Sequence, residues 1–177
     1  MFAKQDNSNN RISVKHITFY SLLVALCLIV GYIEGVLSIS LAAIVPGVKI
    51  GLSNAIVLML VYRGDTKGAW AVNIVRICLS ALLFGSPVSF VFSLSGGIAS
   101  LLMASVLSRF KSVSAIGTSI AGAVVHNIFQ CVAASFFVGI GVVRILPLLI
   151  LLGAVCGAFC GVLLQLVLKK VKTNGIF

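Results

Sequence analysis

The sequence predicts an all-α integral membrane protein, a bundle of six transmembrane helices with an irregular segment between the first and the second. Three observations lead there. Apolar residues make up 60% of the chain and charged residues 9%, against roughly 25% charged in an ordinary soluble domain. With a mean hydropathy of +1.23, a soluble globule of this size has too little interior to hide so much apolar side chain. The apolar residues also come in runs of about 20, the length that crosses a bilayer as a helix, and 13 Lys and Arg against 3 acids gather in alternate turns between those runs.

Each element follows in order. Residues 1–15 form a polar N-terminus, 16–170 a single membrane domain and 171–177 a polar tail. The opening MFAKQDNSNNRISVKH leads into the apolar run 17–37 without a small-residue cleavage site, so that run reads as a retained first span and not a removed signal peptide. Residues 36–62 are almost wholly apolar but broken by Pro46, Gly47, Lys49 and Gly51. They read as a loop or half-helix down to Pro46 and then a short second helix over 48–62. Irregular backbone at membrane depth is tolerated only against protein or a cavity, which makes this segment a place to look for a binding site. The turn RGDTKG closes it; a third helix runs 68–84 to the GSP turn, a fourth 89–108, a fifth 112–140 and a sixth 144–168.

The basic residues orient the bundle. Lys4, Arg11, Lys15, Arg63, Lys67, Arg109, Lys111, Lys169, Lys170 and Lys172 fall on one side of the six spans, and only Lys49 and Arg144 on the other. The positive-inside rule then puts both termini in the cytoplasm, in a plasma membrane of bacterial type. This use of the charge leaves no reason to invoke nucleic acid as a partner.

The same composition excludes several chemistries. Asp6, Glu34 and Asp65 are the only acids, whereas metal–diphosphate sites need several carboxylates on hard cations. There is no phosphate loop of Walker type and no paired-carboxylate arrangement, so the chain is not expected to be an enzyme. Cys27, Cys78, Cys131, Cys156 and Cys160 lie inside apolar runs without a CxxC; they read as small buried packing residues, and with two His no metal site is expected.

The candidate site residues are polar groups inside spans. Arg76 sits mid-helix in AVNIVRICLSALL, where a charge costs several kcal/mol unless it is paired or hydrated. Asn73 and Ser80, three and four residues away, share its face. Arg76 is either a ligand for an anion or the partner of Glu34 in an ion pair between the first and third helices. Lys49 opens the short second helix, where with the free backbone donors it either receives an anion or snorkels to the interface; Asn54 follows on the same helix. His126, Asn127 and Gln130 share a face of the fifth helix, as ligands or as interhelical hydrogen-bond partners. Among the serines of GSPVSFVFSLSGG, Ser86 in the turn is the one best placed to touch a ligand. Gly153, Gly157 and Gly161 form a double GxxxG for close helix packing, and Ser21-xxx-Ala25 is a weaker small-residue pair.

Three stretches, PGVKIGLSNAIVLMLVY, Arg76 followed by SALLFGSPVSFVFSLSGG, and GAVVHNIFQ, resemble the Gx transporter family, also labelled heptaprenyl diphosphate synthase component I. The resemblance covers about residues 15–170. That family in turn resembles the substrate-binding S components of energy-coupling factor (ECF) transporters, six-helix proteins with an irregular first loop and cytoplasmic termini. It implies an S-component-like subunit for a small anionic cofactor-like molecule, a flavin first and an isoprenoid diphosphate second. Its partners would be a membrane coupling subunit and two ATPase subunits. Ser21 and Ala25 would then be the docking patch, with Ser in place of the first Ala of that patch. The other label implies a non-catalytic membrane subunit of a prenyl diphosphate synthase, because the chain lacks aspartate-rich metal motifs. On the S-component reading the ligand walls are Glu34, Lys49, Asn54, Asn73, Arg76, Ser86, His126, Asn127 and Gln130.

Overall fold

The computed structural model describes residues 14–42, 51–110 and 112–173, and every regular element among them is helical. In chain order these are α1 (Val14–Ala42), α2 (Leu52–Tyr62), α3 (Thr66–Phe84), α4 (Pro87–Leu107), α5 (Ala115–Val138), a 3₁₀ turn (Ile140–Ile145) and α6 (Leu146–Thr173). Among the described residues five helices are long and apolar enough to cross a membrane; the sixth expected span, α2, has 11 residues, about 16 Å at 1.5 Å per residue, roughly half of the hydrocarbon thickness. Residues 38–42 of the segment expected to be irregular continue α1 as helix, while 43–47 and Lys49 lie outside the described residues.

The turns that start and stop these helices are chemically explicit. Gly51 precedes α2 with φ of 85°, a left-handed conformation that glycine adopts without a Cβ penalty. Asp65 caps α3 by accepting the Gly68 N–H at 2.9 Å, and its other oxygen accepts the Tyr20 hydroxyl at 2.6 Å. Ser86 caps α4, with Pro87 in its first turn, where a missing N–H costs nothing. Ser114 caps α5 by accepting the Gly117 N–H.

Packing places α2 at the centre. It touches α1, α3, α4, α5 and α6, whereas α1 meets only α2 and α3 among the described residues. The core gathers around it: Leu23, Val24 and Cys27 of α1, Val57, Leu58, Leu60 and Val61 of α2, Ala69 and Val72 of α3, Leu101 and Ala104 of α4, and Leu164 of α6. These come from the end of the bundle that holds the basic turns, and the Tyr62–Thr118 hydroxyl pair at 2.7 Å ties α2 to α5 there.

On the other side of the bundle α6 lies along α5 through its glycines. A Cβ on Gly157 would stand 2.9 Å from the Ile120 Cα, and one on Gly161 2.7 Å from the Ile116 Cα, so Gly157 and Gly161 set the distance between these two helices. Not every apolar-run cysteine is buried. Cys78 is exposed on the outer face of α3 and Cys156 is half-buried, because the spans are apolar on all sides and a cysteine can face lipid as well as core.

Candidate ligand-binding cavity

Beyond the N-terminus of α2 no described residue fills the centre of the bundle, and the five long helices surround a cavity of about 370 Å³. That lies near the lower end of the roughly 300–1,000 Å³ usual for small-molecule sites. Its floor is the start of α2 (Gly51, Ser53, Asn54). Arg76, Ile77, Ser80 and Ala81 of α3 form one wall, Ser89 and Ser93 of α4 the next, and Ala123, His126 and Asn127 of α5 the third. Gly31, Tyr32, Glu34, Gly35 and Val36 of α1 face them, with Gly153 of α6 beside Asn127.

The polar centre of the cavity is one connected network. Glu34 is buried, and its carboxylate accepts the backbone N–H of Leu52 and, at 3.2 Å, the hydroxyl of Ser53. Gly51 has no side chain with which to cap α2, so a carboxylate from the neighbouring helix does it and meets the positive end of the helix dipole. The Ser53 oxygen in turn accepts from Arg76 Nη1 at 3.2 Å. Arg76 Nη2 donates to the side-chain oxygens of Asn54 and Asn73, and Nε donates again to Asn73. Asn73, 1% exposed, passes its own amide proton to the Gly97 carbonyl at 3.2 Å. Glu34 and Arg76 are thus coupled through the Ser53 hydroxyl, not as the direct ion pair the sequence suggested.

This arrangement decides how charge is distributed. The Glu34 charge is spent on the amino end of α2, while the acceptors around Arg76 are neutral amides and a hydroxyl, which satisfy its protons without cancelling its charge. These four bonds occupy four of the five guanidinium N–H groups. Of the backbone donors at the amino end of α2, that of Leu52 is taken by the protein's own carboxylate.

Of the residues singled out in the sequence, Glu34, Asn54, Arg76, His126 and Asn127 line the cavity together. Asn73 stands behind Arg76 and faces a smaller void of about 40 Å³ below the floor. Ser86 is corrected: it is exposed, its hydroxyl accepts the Ser89 N–H as a helix cap at 3.2 Å, and Ser89 and Ser93 reach the cavity in its place. Gln130 is not among the residues lining the cavity. The Ser95 hydroxyl donates to the Phe129 carbonyl at 3.4 Å and the Cys131 thiol to the Val142 carbonyl at 3.7 Å. Asn127 donates to the Leu149 carbonyl at 2.7 Å, holding the start of α6 against α5. Ser21 and Ala25 are exposed on α1 and take no part in the cavity.

Sequence reading missed Ser53 and the α1 glycines. The Gly-Leu-Ser-Asn opening of α2, a glycine followed by two polar residues ahead of an apolar run, was the available signal for Ser53.

The chain matches the family described as heptaprenyl diphosphate synthase component I over residues 23–167. It belongs to that family. The match spans α2, the cavity walls and both faces of the α5–α6 contact, so the cavity lies wholly inside the part this heptaprenyl diphosphate synthase component I family shares. No curated protein and no solved structure matches the chain.

Proposed function

We propose that the protein is a non-catalytic membrane subunit associated with a prenyl diphosphate synthase, and that its cavity holds an isoprenoid diphosphate by the anionic headgroup. The observation that carries this reading is the Arg76 network: a half-buried cation at membrane depth, held by neutral acceptors and open to a cavity. A buried charge at membrane depth is expensive and marks a functional position, and a phosphate oxygen would supply the negative charge that Asn54, Asn73 and Ser53 do not. Asn54, His126, Asn127 and the serines of α3 and α4 would orient the headgroup. The family name supports a synthase partner over ATPase subunits. The scarcity of carboxylates supports a role that leaves metal-dependent chemistry to that partner.

A second reading is favoured by one observation. The cavity lies at the end of the bundle opposite the turns that carry Arg63, Lys67 and Arg109, which the positive-inside rule assigns to the cytoplasm. A cavity in the outer half suits a subunit that captures a cofactor-like anion, such as a flavin phosphate, for import.

One purification and one variant test both. The intact protein is isolated from native membranes in mild detergent and its companions are identified. A soluble prenyl synthase subunit is expected; a membrane coupling protein with two ATPases replaces the first reading with the second. In lipid nanodiscs, Arg76→Gln is expected to weaken farnesyl diphosphate binding at least tenfold, equivalent to about 1.4 kcal/mol, while thermal unfolding still shows a folded protein. Unchanged affinity removes Arg76 from the site.

A further inference from the structure

Below the cavity floor lies the smaller void of about 40 Å³, and part of its lining is polar. Asn54 and Asn73 bring the Arg76 network to its upper end, and Thr118, bonded to Tyr62, stands at its lower end. Asn54 lines the cavity as well and so stands between the two spaces. Ser100 of α4 and Ser119 of α5 complete the polar lining. Ser119 is 8% exposed, and among the described residues neither its hydroxyl nor that of Ser100 has a hydrogen-bond partner. A hydroxyl withdrawn from water and left unbonded is destabilising. Two of them on one void call for something inside it that both donates and accepts.

The void fits water in size and length. Five described helices, α2 to α6, contribute to its lining. Its lower part, at Leu58, is about 10 Å along α2 from Gly51, where residues 43–50 join. A volume of about 40 Å³ holds about three waters at roughly 10–15 Å³ each. On α4 the lining runs from Gly97 to Ala104, seven residues and about 10 Å. Three waters in file span four hydrogen bonds, about 11 Å at roughly 2.8 Å each. The small residues keep this room: a Cβ on Gly122 would stand 3.2 Å from the Ser100 hydroxyl oxygen. Wholly apolar voids stay dry, whereas a buried water is held where two to four polar groups converge.

We propose that this void is an internal hydration site, in which about three ordered waters bond Ser100, Ser119 and Thr118 and complete a line of hydrogen bonds from the Arg76 network to Tyr62 at the far end of α2. The waters satisfy the two serines and meet Asn54 and Asn73 from below. The line crosses the half of the bundle that is otherwise apolar core, and it joins the floor of the cavity to the end that carries the basic turns. It does not depend on what the cavity above holds, so it stands or falls apart from the headgroup reading.

The test uses the full chain and has two parts. A crystal structure at a resolution that shows buried waters is expected to place density within hydrogen-bond distance of Ser100, Ser119 and Thr118. Water in the cavity above but none in the void overturns the proposal. Thermal unfolding in detergent then separates a wet void from a dry one by sign. Removing a hydroxyl that has no partner relieves an unsatisfied group, whereas removing one that bonds water loses a bond. Ser105 is the internal control, because its hydroxyl is buried without a partner and lies outside the void. Ser105→Ala is expected to leave the melting temperature unchanged or raise it. The double variant Ser100→Ala, Ser119→Ala is expected to lower it by about 4 °C or more, two hydrogen bonds at roughly 2–4 °C each for a chain of this length. A double variant that behaves like Ser105→Ala overturns the proposal. The line to Tyr62 is tested by Ser100→Ala with Tyr62→Phe, two side chains that share no hydrogen bond. Their losses are expected to sum to more than the loss in the combined variant; additive losses break the line.

Discussion

Around α2, at the end of the bundle with the basic turns, six helices close on a continuous apolar core in which Leu60 is 1% exposed and Thr118 fully buried. Past the first residue of α2 the same long helices continue, but the centre is a cavity whose polar groups are bonded to one another. The two halves share their helices and their apolar composition and differ in whether a short helix fills the middle. An 11-residue helix that ends halfway makes a cavity without any long helix bending. Its exposed amino end then requires a partner, which Glu34 supplies, and the other charged residue lining the cavity among the described residues is Arg76, held by neutral groups.

Core truncation should show the largest difference between the halves. Leu60→Ala is expected to lower stability by about 2–4 kcal/mol, the range for large-to-small changes in packed interiors. Leu82→Ala, at a position 81% exposed, should stay within about 0.5 kcal/mol. Reversible unfolding in mixed micelles measures both, and equal losses would break the distinction.

Glycine substitutions sharpen it next. Gly157→Leu must push α6 away from the Ile120 backbone and is expected to cost about 1–3 kcal/mol. Gly35→Leu enters open space and should leave stability unchanged or raise it by up to about 1 kcal/mol, since glycine is a poor helix former. The same unfolding assay compares them.

The smallest effect belongs to the join between the halves. Glu34→Gln keeps an acceptor at the start of α2 but removes the charge that faces the helix dipole, a loss of about 1 kcal/mol. Faster hydrogen exchange is expected at the amides of 52–55, with 58–61 unchanged. Uniform exchange along α2 would mean that the carboxylate does not hold the helix start.

Much of the fold was legible because a bilayer imposes a length and a polarity on each element. The spans 66–84, 87–107 and 115–138 fall within about three residues of their expected ends, and the shortness of the second helix was readable from Pro46, Gly47 and Gly51. Whether that short helix counts as a sixth span was not readable, since apolar composition does not report whether a helix faces lipid or other helices. At the candidate site, the helical spacing of Asn73, Arg76 and Ser80 and of His126 and Asn127 was enough to bring them to one region. Spacing carried Gln130 along as well, although it lies beyond the cavity, and it favoured Ser86, whose hydroxyl is used by the backbone of its own turn.

The sequence by itself determined that this chain is a membrane protein, where α3, α4 and α5 run, and that Arg76 has to face the interior, because each of these follows from the cost of placing polar groups in hydrocarbon. Only the tertiary structure decided that Glu34 caps α2 from another helix, that Ser53 stands between the two charges, and that Gly31 and Gly35 meet no described residue while Gly157 and Gly161 face a helix. Identical glycine spacings take opposite roles according to what lies opposite them, and that is set by how helices distant in sequence pack.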